Sequence, residues 1–337
     1  MTPWRVRTRP FVRPILTIQP AGAIGISLMA DEKPWSEPVA RDILLLILAN
    51  IFWGATDVVA KFALSEMSPV ALLWTRVSIA LIFLAPALYA RKKEIPQSLI
   101  GFLPFIALGL AGFALNFTLV YYGLRLAPAS HATALRVTES LTIVFLSALL
   151  LREKVRGRAV FGLVAGILGV VLVLNIDFKN LSLFTSGSRR GDLLILAGIL
   201  VEGFYTVIGK SVLKKVSPIT ATGLALFCGW LILTMVFGVR IAAEFGHQVP
   251  SARAFLAAAY LGVIATSIGY WIYYKVLSRR ASHRVGISIM IQPLVGIPLA
   301  ALIFHDPMTP QFLIGAVLIA GGVYLALGKG SEIKNEG

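Results

Sequence analysis

Apolar and polar positions alternate along this chain in long blocks. Runs of roughly twenty mostly apolar residues lie near 43–64, 69–90, 99–124, 129–150, 158–174, 192–212, 218–239, 254–277, 285–304 and 309–328. Short stretches rich in charge, proline or glycine separate them. A helix needs about 20 residues to cross a bilayer, and a spanning segment must satisfy its own backbone hydrogen bonds there. Each block therefore predicts a membrane-spanning helix, and the expected fold is all-α and multipass, with ten spans.

Composition points the same way. Of 337 residues, 57% are hydrophobic and 14% charged, against about 25% charged in a soluble chain. The net charge of +15 invites a nucleic-acid reading until its distribution is read. With the N-terminus in the cytoplasm, 20 of the 31 Lys and Arg residues fall in cytoplasmic segments, six in outer loops and five inside spans. That alternation follows the positive-inside rule. Topology in a cell membrane, plasma or inner, accounts for the basic charge. The expected partner is the lipid bilayer and not nucleic acid, and both termini are expected in the cytoplasm.

Residues 1–41 read as a disordered cytoplasmic tail, and 329–337 as a second short one. A signal peptide ending near Ala30 would invert the charge count, and Met29 before "ADEKPWSEP" reads as an alternative start. The single cysteine, Cys228, allows no internal disulfide and reads as a small core residue. No metal-ligand spacing, GxSxG, HExxH or phosphate-binding loop occurs, so neither an enzyme nor a cofactor is expected. His131 and His283, each in "ASH", are expected at the membrane interface.

The chain also repeats itself. Residues 141–174 lie over 294–327 at an offset of 153, with Gly162, Gly169 and several Leu and Val positions recurring and Glu153 falling on Asp306. Gly109 falls on Gly262 at the same offset. Residues 53–61, WGATDVVAK, lie over EGFYTVIGK at 202–210, an offset of 149. Lys61 then matches Lys210, and Ser68-Pro69 matches Ser217-Pro218. The units are 42–175 and 192–328. Five spans per unit put the second in the membrane upside down, an arrangement of secondary transporters whose substrate site lies near the midplane.

Two such units resemble the EamA-type drug/metabolite transporter superfamily. The matching positions are Trp53-Gly54, Lys61, Pro69, Arg76, Glu153, Gly162 and Gly169, then Gly203, Lys210, Pro218, Pro293, Asp306 and Gly315. The resemblance implies a ten-helix exporter or exchanger of small metabolites working by alternating access. Two departures stand out. Glu139-Ser140 replaces the usual proline of the fourth helix, which the second unit keeps as Gln292-Pro293. Arg152-Glu153 replaces the usual Gly-Glu before the last helix.

Ionisable groups inside spans cost about 2.5–3.5 kcal/mol each at the bilayer centre and therefore face the bundle interior or a water-filled path. Trp53, Asp57 and Lys61 share a helical face, and Asp57 and Lys61 are spaced to pair. Glu202 and Lys210 occupy the matching face, with Tyr205 beside them, and Glu202 needs a partner from another helix. Arg76 is placed to neutralise Asp57 or meet a substrate carboxylate. Arg136 and Glu139 are spaced to form an intrahelical pair. Asn116, Tyr270 and Gln292 are candidates for the wall of an amphipathic cavity, whereas Tyr273, Tyr274 and Lys275 read as interfacial belt. The pairs Gly109/Gly112 and Gly162/Gly166 read as close helix packing. The expected ligand is a small amphipathic, amino-acid-like or drug-like molecule. A non-transporting membrane scaffold is the second reading, and a homodimer is left open.

Overall fold

The computed structural model describes residues 39–127, 129–155, 157–173, 189–247, 249–304 and 310–327. Every apolar block contains helix, and no strand occurs among the described residues. Among the described residues, seven helices are long and apolar enough to cross a membrane, and two shorter apolar helices lie at Thr138–Leu150 and Gly157–Gly169. Large apolar side chains such as Ile82, Leu103, Phe145, Phe161 and Val317 stay exposed on the helices, as a lipid-facing surface requires.

The elements are α1 (Val39–Gly54), α2 (Thr56–Ala63), α3 (Pro69–Tyr89), α4 (Leu99–Gly109), α5 (Leu115–Leu126), α6 (Ala129–Leu135), α7 (Val137–Leu150) and α8 (Gly157–Val173). They continue as α9 (Arg189–Val212), α10 (Pro218–His247), α11 (Ala252–Ala259), α12 (Gly269–Leu277), α13 (Ser282–Ile287), α14 (Gln292–Phe304) and α15 (Pro310–Leu327). The first helix thus begins at Val39, inside the tail expected to run to 41. The helix expected over 218–239 continues to His247. The remainder of both tails, Met29 and Asp306 lie outside the described residues.

Helix starts follow local chemistry. Ser68 accepts from Ala71 N–H with Pro69 in the first helical position, and Ser98 and Ser251 cap α4 and α11 in the same way. The α7 helix ends with Arg152 at φ 53° and with Glu153 N–H reaching back to Ser147 O at 3.1 Å. That left-handed conformation favours glycine. It falls where the resembled family carries glycine, so the departure noted above carries backbone strain.

Contacts recur at the two sequence offsets. Lys61 Nζ donates to Leu124 O and Ala127 O, and Lys210 Nζ donates to Leu277 O and Arg280 O. Gly54 packs on Val295 while Gly203 packs on Thr142. Gly109 lies against Ala225 O, and Gly262 lies against Arg76 O. The α8–α15 pair closes through Gly169 on Gly315 O and Gly322 on Gly162 O, where a missing Cβ lets backbones touch.

Carboxylates in turns and in the last turn of α10 clasp helix N-termini, where unpaired N–H groups and the helix dipole favour an anion. Glu244 takes Ser68 N–H at 2.7 Å, and Glu94 takes Ser217 N–H at 2.8 Å. Burial works to raise the Glu94 carboxyl, but bonds from Thr220, Ser217 and Arg91 bring it down to about 2. Glu153 takes both Ser282 N–H and His283 N–H and meets His283 Nδ1 at 2.8 Å. Burial opposes the charge there too, and the His283 and Ser282 bonds hold its carboxyl at about 2. Asp42 pairs with Arg280 at 2.6 Å. His283 is therefore a buried latch residue and not an interfacial one; the His131 side chain lies outside the described residues.

Candidate functional site

Interrupted helices meet at the centre. Ala55 separates α1 from α2, and a tight turn at Arg136, where Glu139 N–H donates to Arg136 O, separates α6 from α7. A 3-10 segment, Ser288–Ile291, joins α13 to α14. Two π-helical segments, Leu110–Ala114 and Tyr260–Ile268, interrupt the third and eighth apolar blocks. Such segments leave carbonyls without their usual i+4 partners and often lie at functional sites. Trp53 Nε1–H takes one of them, Ala265 O, at 2.8 Å.

These breaks bring four charged side chains together, all under a tenth exposed. Arg136 Nη2 and Nε fork onto Asp57 at 3.1 and 3.3 Å. Its Nη1 donates to Glu202 at 2.8 Å and approaches Glu139 only to 4.0 Å. Tyr270 donates its hydroxyl to the other Glu202 oxygen at 2.5 Å. The Glu139 carboxylate accepts no hydrogen bond among the described residues. The bidentate fork is the strong geometry for a guanidinium and a carboxylate. One arginine cannot offset three carboxylates, so the cluster carries an excess of acid.

A cavity about the size of one water molecule adjoins the cluster. Trp53, Thr56, Arg76, Phe117, Tyr270 and Gln292 line it together with Arg136, Glu139 and Glu202. Arg76 is 1% exposed. Its Nε donates to Thr266 and its Nη1 to Tyr121, both at 2.7 Å, and it lies 3.9 Å over the Phe117 ring. Beside the cavity, Asn50 donates to Ser288 at 3.0 Å and accepts from Gln292 Nε2 at 3.2 Å. Aromatic rings wall the site: Trp53 on Tyr270 and Tyr273, and Tyr205 stacked on Tyr274 at 4.8 Å.

Of the candidates read from the sequence, Trp53, Asp57, Arg76, Arg136, Glu139, Glu202, Tyr270 and Gln292 converge here. Tyr205 packs edge-on against Tyr270. Asn116, fully buried, donates to Gly112 O at 3.3 Å and does not line the cavity.

Several pairings differ from expectation. Lys61 does not pair with Asp57: its longer reach takes it to the open carbonyls at the end of α5, while the Arg136 fork holds Asp57. Lys210 does the same at the end of α12. Both lysines serve helix ends, where a cation meets unpaired carbonyls and the negative end of the dipole. Arg76 pairs with neutral groups and not with Asp57. The closest partners of Arg136 come from other helices, ahead of Glu139. Tyr273 and Tyr274 are not interfacial belt: they are 2% and 0% exposed, bonded to Thr206 and to Tyr205 O.

The sequence reading missed Asn50, Thr56, Phe117 and Thr266 at the site. Asn50, a lone amide in "ILLLILANIFWG", carried a usable signal. Thr56, Phe117 and Thr266 are ordinary in composition, and only the third dimension selects them.

The family model described as EamA-like transporter family matches residues 41–175 and again residues 189–328. A "Probable amino-acid metabolite efflux pump" of Escherichia coli (strain K12) is 24% identical over 293 residues, covering 85% of this chain and 94% of that protein. An "Uncharacterized transporter" of Archaeoglobus fulgidus is 24% identical over 290 residues, covering 85% and 98%. A WAT1-related protein of Arabidopsis thaliana is 25% identical over 322 residues, covering 88% and 84%. A solved structure titled only "Crystal structure of protein" shares the fold, with a TM-score of 0.68 at 20% identity over 85% of this chain and 96% of that one.

Proposed function

The chain belongs to the EamA-like transporter family, and we propose that it exports or exchanges small amphipathic metabolites, amino acids foremost, as a secondary transporter working by alternating access. The observation that carries this reading is the buried cluster of Asp57, Arg136, Glu139 and Glu202 beside an aromatic-walled cavity where three helices break. Broken helices around a midplane site are how transporters combine a polar site with a lipid environment.

Contacts that recur at offsets of 149 and 153, with the family match in two parts, support ten spans in two five-helix units of opposite orientation, 42–175 and 192–328. Each of these latches joins segments that the charge count puts on one side: Glu94 with Ser217, Glu153 with His283, and Asp42 with Arg280 inside, Glu244 with Ser68 outside. That agreement supports cytoplasmic termini and a plasma or inner membrane location.

Charge counting outlines the cycle. Asp57, Glu139 and Glu202 face Arg136 and Arg76, so one negative charge is in excess when all are ionised. Glu139 is the acid without a close partner, and either a proton or a substrate ammonium meets it. The amino-acid assignment draws support from the name of the Escherichia coli relative.

The test is reconstitution. Liposomes containing the purified protein, loaded with the twenty proteinogenic amino acids and supplied with no ATP, should release a subset faster than protein-free liposomes. Equal release from both, with the protein folded and inserted, overturns the reading.

A further inference from the structure

We propose that Arg76 is the carboxylate-binding residue of this transport site. The site then selects its substrate by an anionic head group as well as by a cationic one. The inference rests on the transport reading above and deepens it.

Arg76 is a guanidinium held for a ligand that the protein does not supply. Its side chain is almost fully buried, and no carboxylate of the described residues pairs with it. Thr266 fixes Nε, the Tyr121 hydroxyl fixes Nη1, and the Phe117 ring lies under the guanidinium plane. The fourth feature is an absence: Nη2 is buried without a hydrogen-bond partner among the described residues, although Arg76 lines the cavity.

Leaving a buried charged donor unmade is expensive, more so than for a neutral one. Neutral partners orient the guanidinium without neutralising it. Arg136 shows the contrast within the same site, since it is bonded to two carboxylates. Orientation in advance is what a recognition residue needs, because the substrate then meets donors that require no rearrangement. The planar fork of arginine matches a carboxylate in particular.

The same cavity holds Glu139, the acid without a close partner. An α-amino acid inserts its carboxylate at Arg76 and its ammonium at Glu139, adding no net charge to a membrane-buried site. An amine alone leaves Arg76 unmet, and an acid alone leaves Glu139 unmet. The present cavity admits no more than a water molecule, so entry requires the helices around it to part.

The test uses the full-length protein in liposomes loaded with three sets in one mixture: the twenty proteinogenic amino acids, their carboxamides and their decarboxylated amines. Mass spectrometry follows release above that from protein-free liposomes. The amino acids that leave are expected to do so faster than their own carboxamides and amines by about tenfold to a hundredfold, the scale of one hydrogen bond to a charged group. Arg76→Gln should lose that preference, and Arg76→Lys, which keeps the charge without the fork, should retain part of it. Circular dichroism and size exclusion check that both variants fold; if Arg76→Gln does not, the raised KM for the amino acid in Arg76→Lys decides. Carboxamides leaving as fast as the acids, or an unchanged preference in both variants, overturns the assignment of Arg76 while leaving transport intact. No release of any compound overturns the transport reading, and this inference with it.

Discussion

The Arg136 guanidinium grips the Asp57 carboxylate with two nitrogens, at 3.1 and 3.3 Å, and so ties the break between α6 and α7 to the break between α1 and α2. The contact decides what mutations at Arg136 report. Removing Arg136 and Glu139 together, as Arg136→Leu with Glu139→Leu, strips the cationic partner from both Asp57 and Glu202 and leaves Glu202 only the Tyr270 hydroxyl. Stranding a buried charge costs about 3–5 kcal/mol, so this double variant should be strongly destabilised in detergent. A melting temperature equal to that of the wild type would show that the cluster does not hold the helices together.

Glu139→Gln is the gentler probe, because the glutamine keeps the shape of an acid whose carboxylate accepts no hydrogen bond among the described residues. The variant should insert and melt like the wild type, while its transport loses part of its dependence on pH. Parallel pH profiles for the two proteins would remove Glu139 from the transport cycle.

Lys61 and Lys210 should behave as structural residues. Lys61→Met leaves Leu124 O and Ala127 O without their donor and should cost about 1–3 kcal/mol of stability. The KM of whatever active protein remains should not change. A raised KM at full stability would return Lys61 to the substrate path.

Glu153 gives a pH prediction with a definite sign. Its folded carboxyl is depressed to about 2 from an ordinary value of 4.5. The stability it contributes is therefore fully present above about pH 4.5 and is lost as pH falls toward 2. Glu153→Gln should lower stability by about 1 kcal/mol at neutral pH, the scale of a lost helix cap, and flatten the decline in that acid window. An unchanged decline between pH 4.5 and 2 would assign it to other carboxylates, Glu94 among them.

At Arg152, with φ at 53°, glycine should be the better residue. Arg152→Gly should raise stability by about 1 kcal/mol, read as a higher melting temperature, with transport unchanged. A lower melting temperature would mean that the arginine side chain contributes more than the strain costs.

What the sequence made legible were the kinds of charged residue that an apolar block cannot hide. Asp57, Arg136 and Glu202 stand out because lipid tolerates them so poorly. Their partners were less legible, since helical spacing ranks neighbours along one helix and says nothing of what crosses from another. Asp57 and Lys61 sit four apart on α2, but Arg136 takes the one and the open carbonyls at the end of α5 take the other. Tyr273 and Tyr274 read as belt because they lie near the end of an apolar block. In three dimensions α9 covers that end, with Gly209 leaving room for the Tyr274 ring. The latch between Glu153 and His283 joins a loop to a helix N-terminus more than a hundred residues away, beyond any local pattern.

The central claim is that the cavity beside Arg136 opens to each side of the membrane in turn. Thr56, which lines it and is 4% exposed, can carry the probe. In a Cys228→Ala background, Thr56→Cys in sealed vesicles should react with a membrane-impermeant thiol reagent applied to either face, and a transported amino acid should change both rates. Reaction from one face only, or from neither, in vesicles that still transport would contradict the account.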